Sequence, residues 1–168
     1  QGFWGDLLTA PVDQVTKGPV DYMMMDYLAE VTMSIMQKQR MKDPSLGYAK
    51  DLVPLMEKIL PILVEKNIKV ITNGGGVNPL GCRDAIFAVA KKLGIKGLKI
   101  GVVVGDDILG SLDILKSKGI DLKNMETAES LVKVRDKIVS ANVYFGARPL
   151  VEALQQGAQI IITGRTTD

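Results

Sequence analysis

Residues 68–79 read IKVITNGGGVNP, and this stretch decides the fold. Residues 68–72 form a short apolar run of β-strand character. Asn78 is a good helix N-cap and Pro79 a good first helical residue, so a helix is expected from position 79. Strand, glycine turn and helix in that order make the first half of a parallel βαβ unit. The three glycines either permit positive φ in a tight connection or leave the backbone bare for a ligand. Three in a row is more than a turn requires. The stretch is not a Walker loop, because the Lys-Ser/Thr ending is absent, and it is not GxGxxG.

Working outward, further strands are expected at residues 20–25 (VDYMMM), 98–104 (LKIGVVV), 138–143 (IVSANV) and 159–163 (QIIIT). Helices are expected between them. Residues 27–40 place Leu28, Val31, Ile35 and Met36 on one stripe, and residues 52–66 carry apolar side chains at 52, 55, 56, 59, 60 and 63. Pro54 suits a first turn, whereas Pro61 predicts a kink or a break. Residues 79–93 and 150–156 read as helices, the second opened by Pro149. Residues 119–129 are more polar and read as a surface excursion. Alternating strands and helices predict one doubly wound, mostly parallel, Rossmann-like α/β domain over residues 1–168, with helices on both sheet faces.

In such a fold ligands bind beyond the carboxyl ends of the strands. The strand exits are polar and glycine-rich: Asp26 and Glu30; Asn73, Gly74, Gly75, Gly76 and Asn78; Gly105, Asp106 and Asp107; Tyr144; Gly164 and Arg165. Each has a plain structural reading beside a functional one. Asp106 and Asp107 could act as a base, orient a hydroxyl or take Mg²⁺, or one of them could simply cap a helix near Ile108. Two adjacent side chains alone make a poor metal cage, so no cofactor is assigned. Asp26 and Glu30 share a helix face at i, i+4, which serves a ligand or the helix dipole equally. The Arg165 fork suits a carboxylate or phosphate, and Asp168 is its structural alternative. Trp4, Gly5 and Asp6 belong to GFWGD, an aromatic pair between glycines that reads as a stacking or lid element or as a hydrophobic plug. Cys82 reads as a buried structural thiol.

Composition narrows the chemistry. The chain has 168 residues, 46% hydrophobic and 24% charged, with a net charge of +2. Nothing in it suggests a nucleic-acid or membrane surface. There is no histidine, so no Ser-His or Cys-His pair can be built from this chain. The single cysteine excludes an intrachain disulfide and suggests a reducing, cytoplasmic location. The chain lacks an initiator Met and stops directly after an apolar run. Both ends read as cut, so an incomplete fragment of a longer protein is expected.

GFWGD, DYLAEVTMS, ITNGGGVNP, VVVGDD, ANVYFGARPLVEAL and ITGRTTD follow one another in this order. Together they resemble the N-terminal domain of the acyclic terpene utilization (AtuA) family, over nearly the whole chain. The resemblance implies a part in the catabolism of acyclic terpenoids. It also implies a candidate carbon–carbon lyase activity on a branched 3-hydroxyacyl-CoA. It supplies no assigned catalytic residues. In the lyase reading Asp106, Asp107 and Arg165 are the catalytic candidates, and the partner is a small-molecule CoA thioester. The alternative is a non-catalytic ligand-binding or subunit-assembly domain. A homo-oligomer is expected in either case.

Overall fold

A computed structural model describes residues 6–167. Trp4, Gly5 and Asp168 lie outside the described residues. The helices are α1 (Ala10–Lys17), α2 (Glu30–Lys42), α3 (Leu52–Glu65), α4 (Pro79–Lys92), α5 (Leu112–Ser117) and α6 (Arg148–Gln155). The strands are β1 (Tyr22–Met25), β2 (Lys69–Thr72), β3 (Ile100–Val103) and β4 (Ile160–Thr163), and they form one sheet in the order β1-β2-β4-β3. Every pairing is parallel. The architecture is the Rossmann-like α/β fold that the strand–turn–helix pattern predicts.

Burial explains the order. β4 reads IIIT and is buried along its whole length, as a central parallel strand covered on both faces must be. It lies between β2 and β3, with Ile161 opposite Ile71 and Gly101. β1 alternates exposed and buried: Met23 and Met25 enter the core, while Tyr22 and Met24 face out. The larger core lies on the sheet face covered by α1, α3 and α4. It holds Val15, Leu52, Leu55, Met56, Ile59, Leu60, Leu63, Ile86, Val70, Ile160 and Ile162. On the other face Val103, Leu150, Ala158 and Ile161 make a smaller cluster beneath α6. Burying each large aliphatic side chain contributes about 1.5–3 kcal/mol, so α3, with six buried apolar residues, is the main anchor of the first face.

Several expectations need correction. Residues 138–143 form no strand: β3 ends the sheet, and this segment does not run alongside it. The segment instead crosses the exit of β3. One antiparallel bridge joins Asp107 to Asn142, with Ile108 N–H bound to Ala141 O and Val143 N–H bound to Asp106 O. α2 starts at Glu30 rather than at Tyr27, because the N–H groups of Tyr27 and Leu28 are held by the side chains of Asn73 and Asp26. On the expected stripe Leu28 and Met36 are buried and Val31 is exposed, while Thr32 and Met33 are buried as well. Pro61 does not break α3. It sits on the solvent side of the helix, where the carbonyl it leaves unbonded can reach water. α1, for which no element was expected, carries Pro11 in its first turn and buries Pro11 and Val15. Residues 119–129 are a surface excursion, exposed at every position but Leu122.

Candidate active site at the carboxyl edge

The loops that leave the four strands meet at one edge of the sheet. Asn73, directly after β2, is buried and joins that exit to the exit of β1. Its Oδ1 accepts the Tyr27 N–H at 2.7 Å, and its Nδ2 donates to Asp26 Oδ1. The same Asp26 oxygen accepts the Leu28 N–H at 3.1 Å. Asp26 is thus engaged by both neighbouring segments, although its residue surface is largely exposed.

The glycine turn is buried. A Cβ on Gly75 would lie 2.5 Å from Thr163 O, and one on Gly76 would lie 2.3 Å from Met36 Sδ. Gly76 also has φ +56. The N–H of Gly74 binds Thr72 Oγ1 and that of Gly76 binds Asn73 O. Close packing against β4 and α2 therefore accounts for these glycines, with the turn's donors at positions 74 and 76 turned inward. Asn78 does cap α4: its Oδ1 accepts the Gly81 N–H at 3.1 Å. Its Nδ2 reaches the Leu46 carbonyl at 2.9 Å and fastens the 43–47 loop beside the helix start.

The exits of β3 and β4 are fastened by Asp106, which is 4% exposed. Its Oδ2 accepts the backbone N–H of Arg165 at 3.0 Å and the Asn142 carboxamide at 3.0 Å. Gly164 is needed here, since a Cβ would fall 2.3 Å from that carboxylate. Asp107 points elsewhere: it is exposed, and its Oδ1 accepts the Leu109 N–H at 3.0 Å, capping the short 3₁₀ turn Leu109–Ser111. The two adjacent aspartates thus have separate tasks, and both tasks are visible as bracing of the backbone. Among the described residues no three Cys, Asp or Glu side chains converge as a metal-binding group.

Arg165 is buried, and its guanidinium lies 4.3 Å from the Tyr144 ring centroid. Its Nη1 donates to Leu28 O, which ties the exit of β4 to that of β1. The Tyr144 hydroxyl donates to Glu30 Oε1 at 2.8 Å. Hydrogen bonding from its own backbone N–H, then from Tyr144, holds the Glu30 carboxyl below the usual range, and the Arg165 charge adds to this. Glu30, Tyr144 and Arg165 line a hollow of about 190 Å³ with Met33, Ser34, Ser140 and Asn142. The hollow offers a carboxylate, a phenol, two serines, a carboxamide and an aromatic-backed guanidinium to one small volume.

Of the residues singled out in the sequence, Glu30, Tyr144 and Arg165 come together here, with Asp106 directly behind Arg165. Asn73 and Asp26 form a neighbouring pair, and Asp6 lies apart in a groove of about 330 Å³ with Leu7, Ala10 and Met23–Met25. Ser34, Ser140 and Asn142 went unrecognised. Asn142 stands inside the ANVYFGARPLVEAL stretch, but nothing in its spacing marks it, because its partner Asp106 is 36 positions away. A further apolar hollow of about 240 Å³ lies within the excursion after β3, lined by Leu112, Ile120, Leu122, Leu131, Val132 and neighbouring polar residues. None of the strand-exit candidates lines it.

A parallel α/β domain with a polar, arginine-centred hollow beyond its strand ends belongs to the broad class that binds small molecules at that edge. The whole chain, residues 1–168, matches the model of the family described as acyclic terpene utilisation family protein AtuA, and the chain belongs to that family. No curated protein and no solved structure matches it.

Proposed function

We propose that this chain is a catabolic AtuA-family protein that acts on a branched 3-hydroxyacyl-CoA in the hollow between α2 and residues 140–144, as a carbon–carbon lyase. One observation carries the reading. Glu30 and Arg165 reach the hollow from the exits of β1 and β4, Tyr144 reaches it from the segment that crosses the exit of β3, and the three join in a single chain of contacts. In this reading Arg165 faces a substrate carboxylate, and the Glu30–Tyr144 pair takes the hydroxyl. A retro-aldol cleavage removes the proton of a tertiary hydroxyl and breaks the adjacent C–C bond. The electron pair passes to the leaving carbon as an enolate, which is then protonated. Asp106 acts as a positioning residue that fixes the Arg165 backbone, and Asp107 stands outside the hollow. Family membership supports a role in acyclic terpene utilisation.

The second reading is a non-catalytic ligand-binding or subunit-assembly domain, separated from the first by substrate turnover. It is favoured by the bracing tasks of both aspartates and by the exposed apolar side chains of Tyr22, Met24 and Val31. Thermal unfolding of the protein with CoA, branched acyl-CoAs, nucleotides and Mg²⁺ tests the first reading. A ligand at about 100 times its Kd adds about 2.7 kcal/mol. Stabilisation by acyl-CoA that is lost in Arg165→Ala and Glu30→Gln supports it. Binding without turnover in any assay of C–C cleavage transfers support to the second, and no stabilisation by any acyl-CoA removes the thioester assignment.

A further inference from the structure

Tyr27 stands in the DYLAE stretch after β1 and has no part in the hollow just described. Its side chain is 7% exposed, and its hydroxyl makes no hydrogen bond among the described residues. The ring is fixed in place. The Tyr27 N–H is bound by Asn73 Oδ1, and the ring packs against Gly74, where a Cβ would lie 3.1 Å from Tyr27 Cδ2 and 3.1 Å from Leu52 Cδ2. The phenol therefore sits at the carboxyl edge, between the loops after β1 and β2 and the start of α3. A buried hydroxyl with no partner costs about 1–3 kcal/mol. Phenylalanine would fill the same space without that cost, so the oxygen itself requires a reason.

We propose that the Tyr27 hydroxyl is a ligand contact, donating to a neutral carbonyl or hydroxyl oxygen of a molecule bound between the loops that follow β1 and β2. This rests on the reading that the strand exits bind substrate, and a thioester carbonyl is one oxygen of the required kind. Burial, then the charges of Asp51, Cys82 and Asp6, pushes the phenol up to about 12, so it is a donor throughout the neutral range. Cys82 is itself a neutral thiol there, pushed up to about 12 by burial. Asp51 and Asp6 remain as the negative charges facing the phenol, and they repel an anionic acceptor. The ligand group is therefore uncharged, in contrast to the carboxylate assigned to Arg165.

The test uses small probes. The chain has four tyrosines, so ring ¹³Cζ resonances of tyrosine-labelled protein are few, and Tyr27→Phe assigns the one in question. Titration with acetamide is expected to move the Tyr27 signal to saturation, while acetate at equal concentration leaves it in place. Tyr27→Phe is expected to unfold at the same temperature as the wild type or higher. No response to acetamide overturns the proposal, as does an equal response to acetate. A melting temperature several degrees lower in Tyr27→Phe also overturns it, because the hydroxyl then has an internal partner. If acetamide moves the signal but no acyl-CoA binds, the lyase reading fails and the Tyr27 contact stands.

Discussion

Asp106 shows how one buried carboxylate can hold three chain segments. It accepts from the exit of β4 and from Asn142, and its own carbonyl accepts from Val143. Removing that acceptor leaves the Arg165 N–H and the Asn142 carboxamide without their partner. Asp106→Ala is therefore expected to cost about 1–3 kcal/mol in urea unfolding, and a change inside experimental error would remove the bracing role. Tyr144→Phe should behave differently, because its bond to Glu30 is exposed and exposed polar pairs contribute little to stability. The readout is the Glu30 titration. Its carboxyl lies below the usual value with Tyr144 as the second cause, so Tyr144→Phe should raise the Glu30 pKa in an NMR titration. The sign for stability follows: a depressed carboxyl contributes above its unfolded value of about 4.5 and loses that contribution as pH falls through the folded value.

At the scale of elements, α3 combines the strongest burial with a proline at its centre. Leu60 is fully buried, and Leu60→Ala should cost about 2–5 kcal/mol. Pro61 faces solvent in the same helix. Alanine there restores a donor and removes a clash, so Pro61→Ala should raise stability by about 1–3 kcal/mol in the same unfolding experiment. A destabilised variant would show that Pro61 has a packing task not apparent from its exposure. The helices at 52–65 and 79–92 were legible within one or two residues, because each has a long apolar stripe and a marked start. Residues 138–143 were misread for a physical reason. IVSANV has the composition of a strand, but composition does not lay a segment alongside an edge: β3 ends the sheet, and the backbone at 141 and 143 bonds instead to residues 108 and 106 beyond its exit.

For the molecule as a whole, the alkaline limit of stability is set by groups buried in their neutral form. Cys82 and Tyr27 are each pushed up to about 12, from ordinary values of 9.0 and 10.0. The unfolded chain releases these protons first, so it binds fewer protons than the folded chain and stability falls with rising pH. The fall should begin near pH 9 with Cys82 and steepen above pH 10 with Tyr27. Cys82→Ala should remove the first part of that slope in unfolding measurements across this range. No helix among the described residues is long and apolar enough to cross a membrane.

The sequence by itself determined the parallel α/β class, a strand at the IIIT run and the start of α4 at Asn78-Pro79. These follow from local facts: hydrophobic period, β-branched content and capping chemistry. It also marked the strand exits as the edge where polar residues gather. Only the tertiary structure decided which of those residues meet. The bond from Tyr144 to Glu30 spans 114 positions and that from Arg165 to Leu28 spans 137. The task of Asp106 depends on where residues 141–145 cross the sheet edge. That the Tyr27 hydroxyl has no partner among the described residues depends on how two loops and the start of α3 close around it. Local pattern encodes neither, because long-range contacts are fixed by how helices and strands pack, and many pairings of polar exits are compatible with the same pattern.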